Sequence, residues 1–151
     1  MPISAKYVHT NLIARDWKRL VRFYCDVFGC VPTGPERNLS GAWLDRVTSL
    51  RDAHLRGVHL RLPGYEENGP TLEIFGYEEM VAGQMPTANK GGFAHIAFAV
   101  DDVEQALKAV IAAGGGAVGD IVTTQVEGVG VLCVVYARDP EGNIVELQKW
   151  S

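Results

Sequence analysis

Two histidine–glutamate pairs recur in a matched arrangement, and their side chains are the ones best suited to carry chemistry. His9 precedes Glu73 in the first half of the chain, and His95 precedes Glu146 in the second half. Imidazole nitrogens and carboxylate oxygens together suit divalent ions that accept both kinds of donor. Two of each leave an octahedral ion two positions for water or substrate. The four residues therefore predict one metal centre if the fold brings them together.

The sequence around the two pairs is also repeated. In both copies an Asp stands seven residues after the His, a Gly stands twenty residues after the His, and another Gly stands four residues before the Glu. These landmarks are Asp16 and Asp102, Gly29 and Gly115, and Gly69 and Gly142. We interpret the chain as a tandem duplication in which each half donates one His and one Glu.

Each half predicts the element order β-α-β-β-β. Residues 7–14 alternate as in a strand, and an amphipathic helix follows from Asp16 to Gly29, which are suited to begin and end it. The second half repeats this with a strand at His95, a helix from Asp102 and three further strands. The predicted class is α+β, with two tandem modules over 1–76 and 93–151 and a linker over 77–92.

The region before the last strand of the first half is harder to interpret. The His-to-Glu separation is 64 residues in the first half (9 to 73) and 51 in the second (95 to 146). Two prolines and a glycine within 32–35 predict a break, and residues 43–47 predict the second strand, which carries Asp45. The additional residues are expected to lengthen loops at one edge of the site.

Composition excludes several classes of function. The chain has 151 residues, 47% of them hydrophobic, which is ample for a globular core. Its net charge of −4 provides no basic surface for nucleic acid, and no apolar run approaches the roughly 18 residues of a membrane span. Three cysteines without a Cys-x-x-Cys motif, and an N-terminus without a signal-like apolar region, predict a cytoplasmic protein.

The repeated His strand and helix, together with two segments, Leu72 to Phe75 and Asp139 to Leu147, are similar to those of a known superfamily. The chain resembles the vicinal oxygen chelate superfamily, which includes glyoxalase I, methylmalonyl-CoA epimerase, extradiol dioxygenases and bleomycin-resistance proteins. The resemblance extends over nearly the whole chain. It implies two βαβββ modules that form a cupped, barrel-like mixed sheet with helices outside. It also implies one divalent ion bound by four ligands: His9, Glu73, His95 and Glu146.

The resemblance further implies a lyase or isomerase of the glyoxalase type. In such enzymes the metal chelates adjacent oxygens of a small carbonyl or thioester substrate and stabilises an enolate during proton transfer. Glu146 is expected to act as ligand and base, and Asp45 is a second candidate base. His59 is expected either to line the pocket or to be an exposed strand histidine. The metal stays open among Ni, Zn, Co, Mn and Fe.

Two other functions of the same fold stay open. An Fe(II)-dependent extradiol-type dioxygenase uses two His and one Glu, and Glu73 as an additional ligand argues against it. A metal-free drug- or ligand-binding protein of the resistance type needs no metal, and the four retained ligands argue against that function. Because small members of the family are commonly homodimers, a homodimer that binds a small molecule is expected.

Overall fold

The computed structural model describes all of residues 1–151 and divides into two compact units, Met1–Ala82 and Gly83–Ser151. The first unit contains β1 (His9–Ile13), α1 (Trp17–Phe28), β2 (Val31–Ser40), α2 (Ala42–Thr48), β3 (His54–Arg61) and β4 (Thr71–Tyr77). The second contains β5 (His95–Ala99), α3 (Val103–Ala112), β6 (Gly116–Ala117), β7 (Val122–Val126), β8 (Gly130–Arg138) and β9 (Ile144–Trp150). The predicted α+β class is confirmed, and each half contains one mixed sheet. None of the helices has the length and apolar character that crossing a membrane requires.

The first sheet has the strand order β1-β4-β3-β2. Strands β1 and β4 are parallel, and the other neighbours are antiparallel. Because side chains alternate between the two faces of a sheet, one face carries His9, His59 and Glu73 while the other packs against α1. The face toward α1 contributes fully buried residues to the core: Leu60, Leu72 and Ile74.

Helix α1 begins and ends where the sequence predicts. The Asp16 carboxylate accepts a hydrogen bond of 3.0 Å from the backbone N–H of Arg19, which satisfies a donor that the first turn leaves unpaired. Gly29 ends the helix in the left-handed conformation, with φ at 71°. The helix buries an apolar stripe formed by Leu20, Phe23 and Tyr24.

The second sheet has the strand order β5-β9-β8-β6, and β7 pairs with β8. Again the His-bearing strand, β5, is parallel to the Glu-bearing strand, β9. Helix α3 begins at Asp102, whose carboxylate accepts a hydrogen bond of 3.0 Å from the N–H of Gln105. After the helix, Gly115 lies so close to the sheet that a Cβ would stand 2.2 Å from the carbonyl oxygen of Arg138. Only glycine fits this position.

The turn between β8 and β9 is built around Asp139, the one buried charged residue, with 2% of its surface exposed. Its carboxylate accepts hydrogen bonds from the backbone N–H groups of Glu141 and Asn143 and from the Asn143 side-chain amide. Gly142 completes the turn with φ at 92°. Because turn geometry determines the pairing of a hairpin, this network holds the register of β9 and therefore the position of Glu146.

The region from Val31 to Thr48 differs from the prediction. Strand β2 runs through the prolines and glycine expected to break it, with a register shift between Thr33 and Arg37. Strand β2 tolerates these residues because it is an edge strand, paired only with β3. Proline has no backbone N–H, but at the unpaired side of an edge strand this does not remove a hydrogen bond between strands. The predicted strand over residues 43–47 is wrong: the segment forms helix α2, which buries Leu44 and exposes its neighbour Trp43.

Candidate metal centre

The first His–Glu pair lies on adjacent parallel strands. Glu73 of β4 is aligned with Asn11 of β1, two residues after His9, so the three side chains project from the same face of the sheet. The Nε2 atom of His9 is 3.6 Å from Oε1 of Glu73. The Glu73 side chain is only 12% exposed, so its carboxylate is largely removed from water and depends on polar neighbours.

A third potential ligand, His59, joins this pair from β3. His59 is directly opposite Glu73, and its Nε2 atom is 2.7 Å from Oε2 of that carboxylate. The rings of His9 and His59 meet edge to face, with centroids 5.5 Å apart. One ligand atom from each of the three residues lies within 4.8 Å of the others. The alternation of side chains in β3 predicted that His59 lies on the face opposite to the apolar side chains, but the sequence did not reveal that Glu73 would be its partner.

The surroundings of His59 favour its neutral form, which is the form that ligates metals. Burial lowers the pKa of His59, and the positive charge of Arg37 and the nearby His9 lower it further, whereas the charge of Glu73 acts in the opposite direction. The other ring nitrogen, Nδ1, is 3.2 Å from the hydroxyl of Thr71. Both nitrogens of His59 therefore have polar partners.

Asn11 holds the other oxygen of the Glu73 carboxylate. Its side-chain amide donates a hydrogen bond of 2.8 Å to Oε1 of Glu73. Together with His59 at Oε2, this contact leaves the carboxylate bonded at both oxygens. Glu73 is therefore fixed in orientation before any ligand arrives.

The second His–Glu pair has the same strand register as the first. Glu146 of β9 is aligned with Ala97 of β5, again two residues after the His, and Nε2 of His95 is 2.9 Å from Oε2 of Glu146. On the neighbouring strand β8, Tyr136 is aligned with Glu146, and the ring centroid of Tyr136 lies 4.9 Å from that of His95. The duplication inferred from sequence thus extends to the geometry of each pair.

The duplicated sites differ at two positions that contact the carboxylate in the first half. Ala97 occupies the register position of Asn11, and Tyr136 occupies that of His59. The first half therefore offers three metal donors and a hydrogen-bonded carboxylate, whereas the second offers two donors. Aligning the two halves on their His residues already sets Asn11 against Ala97, whereas the difference between His59 and Tyr136 appears only in the strand register.

The donors fit a divalent ion. Zinc-type bonds to histidine nitrogen and carboxylate oxygen are roughly 2.0–2.2 Å, so two donors of one ion stand about 3 Å apart. The 3.6 Å and 2.7 Å separations around Glu73, and the 2.9 Å separation of His95 from Glu146, are close to this value. The four predicted ligands are thus brought together as two pairs, one in each unit.

Asp45, the second candidate base, lies on α2 and not on a strand. Its two carboxylate oxygens accept hydrogen bonds from the backbone N–H groups of Asp52 and Ala53, at 2.9 and 2.8 Å. Asp52 has a positive φ of 52°, so this side chain stabilises a loop whose backbone conformation is unfavourable. The strand placement was wrong, and we assign Asp45 a structural role in the α2–β3 loop.

Helix α2 forms an apolar wall next to the candidate ligands. Leu44 packs in a buried cluster with Leu55 and Phe75, which project from the same sheet face as His59. The ring of Phe75 meets that of His59 edge to face, with centroids 6.1 Å apart. The additional residues of the first half therefore shape the surroundings of His59.

Comparison with known proteins gives a family match over nearly the whole chain. The sequence model of the Glyoxalase/Bleomycin resistance protein/Dioxygenase superfamily matches residues 6–147. Comparison with curated proteins found no match.

Solved structures with the same fold share little sequence with the chain. A glyoxalase family protein from Bacillus cereus superposes with a TM-score of 0.77 at 20% identity, over 99% of this chain and 95% of its own. The fosfomycin resistance protein FosX from Listeria monocytogenes has a TM-score of 0.61 at 18% identity, with 99% and 96% of the chains covered. A glyoxalase I variant from Zea mays has a TM-score of 0.64 at 22% identity, with 95% of this chain but 44% of the maize chain covered.

Proposed function

The chain belongs to the Glyoxalase/Bleomycin resistance protein/Dioxygenase superfamily, and from that premise we propose that it is a divalent-metal-dependent lyase or isomerase of the glyoxalase type. His9 and Glu73 of the first half, with His95 and Glu146 of the second, would hold one ion of Ni, Zn, Co, Mn or Fe. The substrate would be a small carbonyl compound or thioester with adjacent oxygens.

One observation carries the proposal: the His–Glu pair occurs twice with the same register. In both halves a His stands on a strand parallel to the Glu strand, two residues before the position aligned with the Glu. A single His–Glu contact is common on protein surfaces and has little meaning by itself. Two copies, each with a largely buried carboxylate, support a shared role in binding one ion.

The ion, when bound, would supply Lewis acidity for the substrate oxygens and stabilise negative charge that develops on them. The chain's own residues would hold the ion and move the proton. Glu73 suits the holding role because Asn11 and His59 fix both of its oxygens. We therefore assign Glu73 as a permanent ligand.

Glu146 suits the role of base. It contacts His95 but has Ala97 and Tyr136 where Glu73 has its amide and imidazole partners. A carboxylate without those two restraints can turn toward the carbon next to the substrate carbonyl, accept its proton and return it to a neighbouring position. General base catalysis of this kind contributes roughly 10²–10⁴-fold to a rate.

Metal analysis of the purified protein tests the proposal. Protein prepared without chelators should contain about one equivalent of Ni, Co, Zn or Mn per chain by plasma mass spectrometry, and Glu73→Gln should lose most of it. His54→Ala is a matched control, since His54 also contacts a glutamate, Glu78, but lies on the opposite face of β3. Iron that survives Glu73→Gln would indicate the dioxygenase instead. Protein that binds no added metal would indicate a ligand-binding protein.

Oligomeric state and location complete the proposal. We propose a cytoplasmic homodimer that binds a small molecule; the free thiols of Cys25, Cys30 and Cys133 suit a reducing compartment. Light scattering coupled to size-exclusion chromatography tests the dimer, and a mass of about one chain would contradict it.

A further inference from the structure

We propose that the first half of the chain forms a three-donor metal site of its own, made of His9, His59 and Glu73. This site would hold one divalent transition-metal ion without His95 or Glu146. It goes beyond the four-ligand centre because it adds His59 and depends only on residues of Met1–Ala82.

The geometry around Glu73 supports this site. The Nε2 atoms of His9 and His59 approach different oxygens of one carboxylate, at 3.6 and 2.7 Å. Donors bound to one ion through bonds of roughly 2.0–2.2 Å are separated by similar distances. Two histidines and one carboxylate also form a recurrent set for divalent transition metals, in which three coordination positions stay open. One donor atom from each of the three residues already lies within 4.8 Å of the other two.

The second nitrogen of His59 has the partner that a ligating histidine needs. Metal-bound histidines usually donate the other ring N–H to an oxygen, which fixes the tautomer and the ring orientation. For His59 that oxygen is the hydroxyl of Thr71, 3.2 Å from Nδ1. With Nδ1–H directed to Thr71, the lone pair of Nε2 is available to the ion.

Glu73 is already oriented for this site. The Asn11 amide holds Oε1 at 2.8 Å, so the carboxylate does not lose further side-chain freedom when the ion binds. The three donors also come from three adjacent strands, β1, β4 and β3, which are joined by continuous ladders. A site on rigid strands holds its donors more firmly than a site on loops.

The second half serves as an internal comparison. Its register positions equivalent to His59 and Asn11 hold Tyr136 and Ala97, so it supplies only two donors, His95 and Glu146. An ion on the first-half site has positions left for those two donors or for a substrate. We therefore infer that metal affinity comes mainly from the first half.

A full-length chain without the second-half donors tests the inference. The double variant His95→Ala/Glu146→Gln should still bind one Co²⁺ per chain, measured by calorimetry and by the visible absorption of the bound ion. Adding His59→Gln to this background should abolish binding at Co²⁺ concentrations that saturate the double variant. Adding Tyr136→Phe instead is the matched control, because it alters the equivalent position of the other half, and binding should persist.

Two results would overturn the three-donor site: loss of Co²⁺ binding in the double variant, or persistence of binding after His59→Gln is added. Circular dichroism checks that each variant is folded. As a second measure, His59→Gln in the otherwise unchanged chain should weaken Co²⁺ binding at least about tenfold, whereas unchanged affinity would contradict the site.

The same variants separate this inference from the proposed function. A double variant that loses the ion would overturn the three-donor site and leave the four-ligand centre standing. A double variant that keeps both the ion and catalytic turnover would overturn the four-ligand centre and support the three-donor site.

Discussion

Glu73 lies directly opposite His59 across the β3–β4 ladder, with the Oε2 atom of the carboxylate 2.7 Å from Nε2 of the imidazole. The equivalent partner of Glu146 in the second half is Tyr136, which offers no nitrogen. The duplicated halves have thus kept the strand register and diverged at the side chain that restrains the carboxylate. We propose that this divergence allows Glu73 to act as a fixed ligand and Glu146 to move.

The restraint by Asn11 is the first feature to test. Asn11→Ala gives the first half the residue type that the second half has at Ala97, and it removes the amide that holds Oε1 of Glu73. Loss of such an outer-shell contact typically lowers metal affinity by about 10–100-fold. Competition with a chromophoric chelator measures the affinity for Zn²⁺. Asn38→Ala, which removes a partner of His54, is the control and should not change it. Equal affinities for both variants would contradict the role of Asn11.

Glu146 is expected to matter for proton transfer more than for folding. Glu146→Gln keeps the size of the side chain but removes the base, so we expect turnover to fall by about 10²–10⁴-fold. Proton NMR in heavy water, with α-hydroxycarbonyl and thioester compounds as substrates, measures exchange at the carbon next to the carbonyl. If this variant exchanged that proton at the wild-type rate, Glu146 would not be the base.

Asp45 is expected to affect stability and not turnover. Asp45→Ala leaves the backbone N–H groups of Asp52 and Ala53 without their acceptor, which costs about 1–3 kcal/mol for a partly buried donor. Urea unfolding measures the loss. The exposed Glu104, ion-paired with Lys108 on α3, is a carboxylate control whose removal should leave the midpoint unchanged. A large loss of turnover at unchanged stability would restore Asp45 as a candidate base.

The Cys30 thiol is expected to be unreactive in the folded protein. Burial, followed by the proximity of Cys25, raises the pKa of Cys30 from 9.0 to about 12, and only 3% of the residue is exposed. Because the folded-state pKa lies above the unfolded value, the resulting stabilisation is present below about pH 9 and is lost as pH rises toward 12. Alkylation by iodoacetamide at pH 8, mapped by mass spectrometry, should therefore spare Cys30 unless urea is added.

The alkaline loss of stability has its own control. Cys30→Ala removes the titrating thiol, so its stability should fall less steeply between pH 9 and 12 than that of the unaltered chain. Parallel pH profiles for the two proteins would show that other groups cause the loss.

The sequence by itself determined the duplication, both ends of α1 and the start of α3. The Asp residues at 16 and 102 and the glycine at 29 act through hydrogen bonds and backbone angles within a few residues, so their effect is local and can be predicted. The repeated His and Glu positions could be identified for a related reason, since each His kept its spacing to the following Asp and each Glu kept its spacing to the preceding Gly. The family could be predicted from the same residues.

Only the tertiary structure decided which residues meet Glu73 and what the inserted segment does. The pairing of His59 with Glu73 depends on the β3–β4 register, and strand register is determined by interactions between segments distant in sequence. Residues 43–47 were predicted as a strand, but burial of Leu44 against Leu55 and Phe75 selects a helix, since tertiary packing overrides weak local preference. Strand β2 likewise accommodates its prolines because it lies at the edge of the sheet, and the position of a strand within a sheet cannot be inferred from the local sequence.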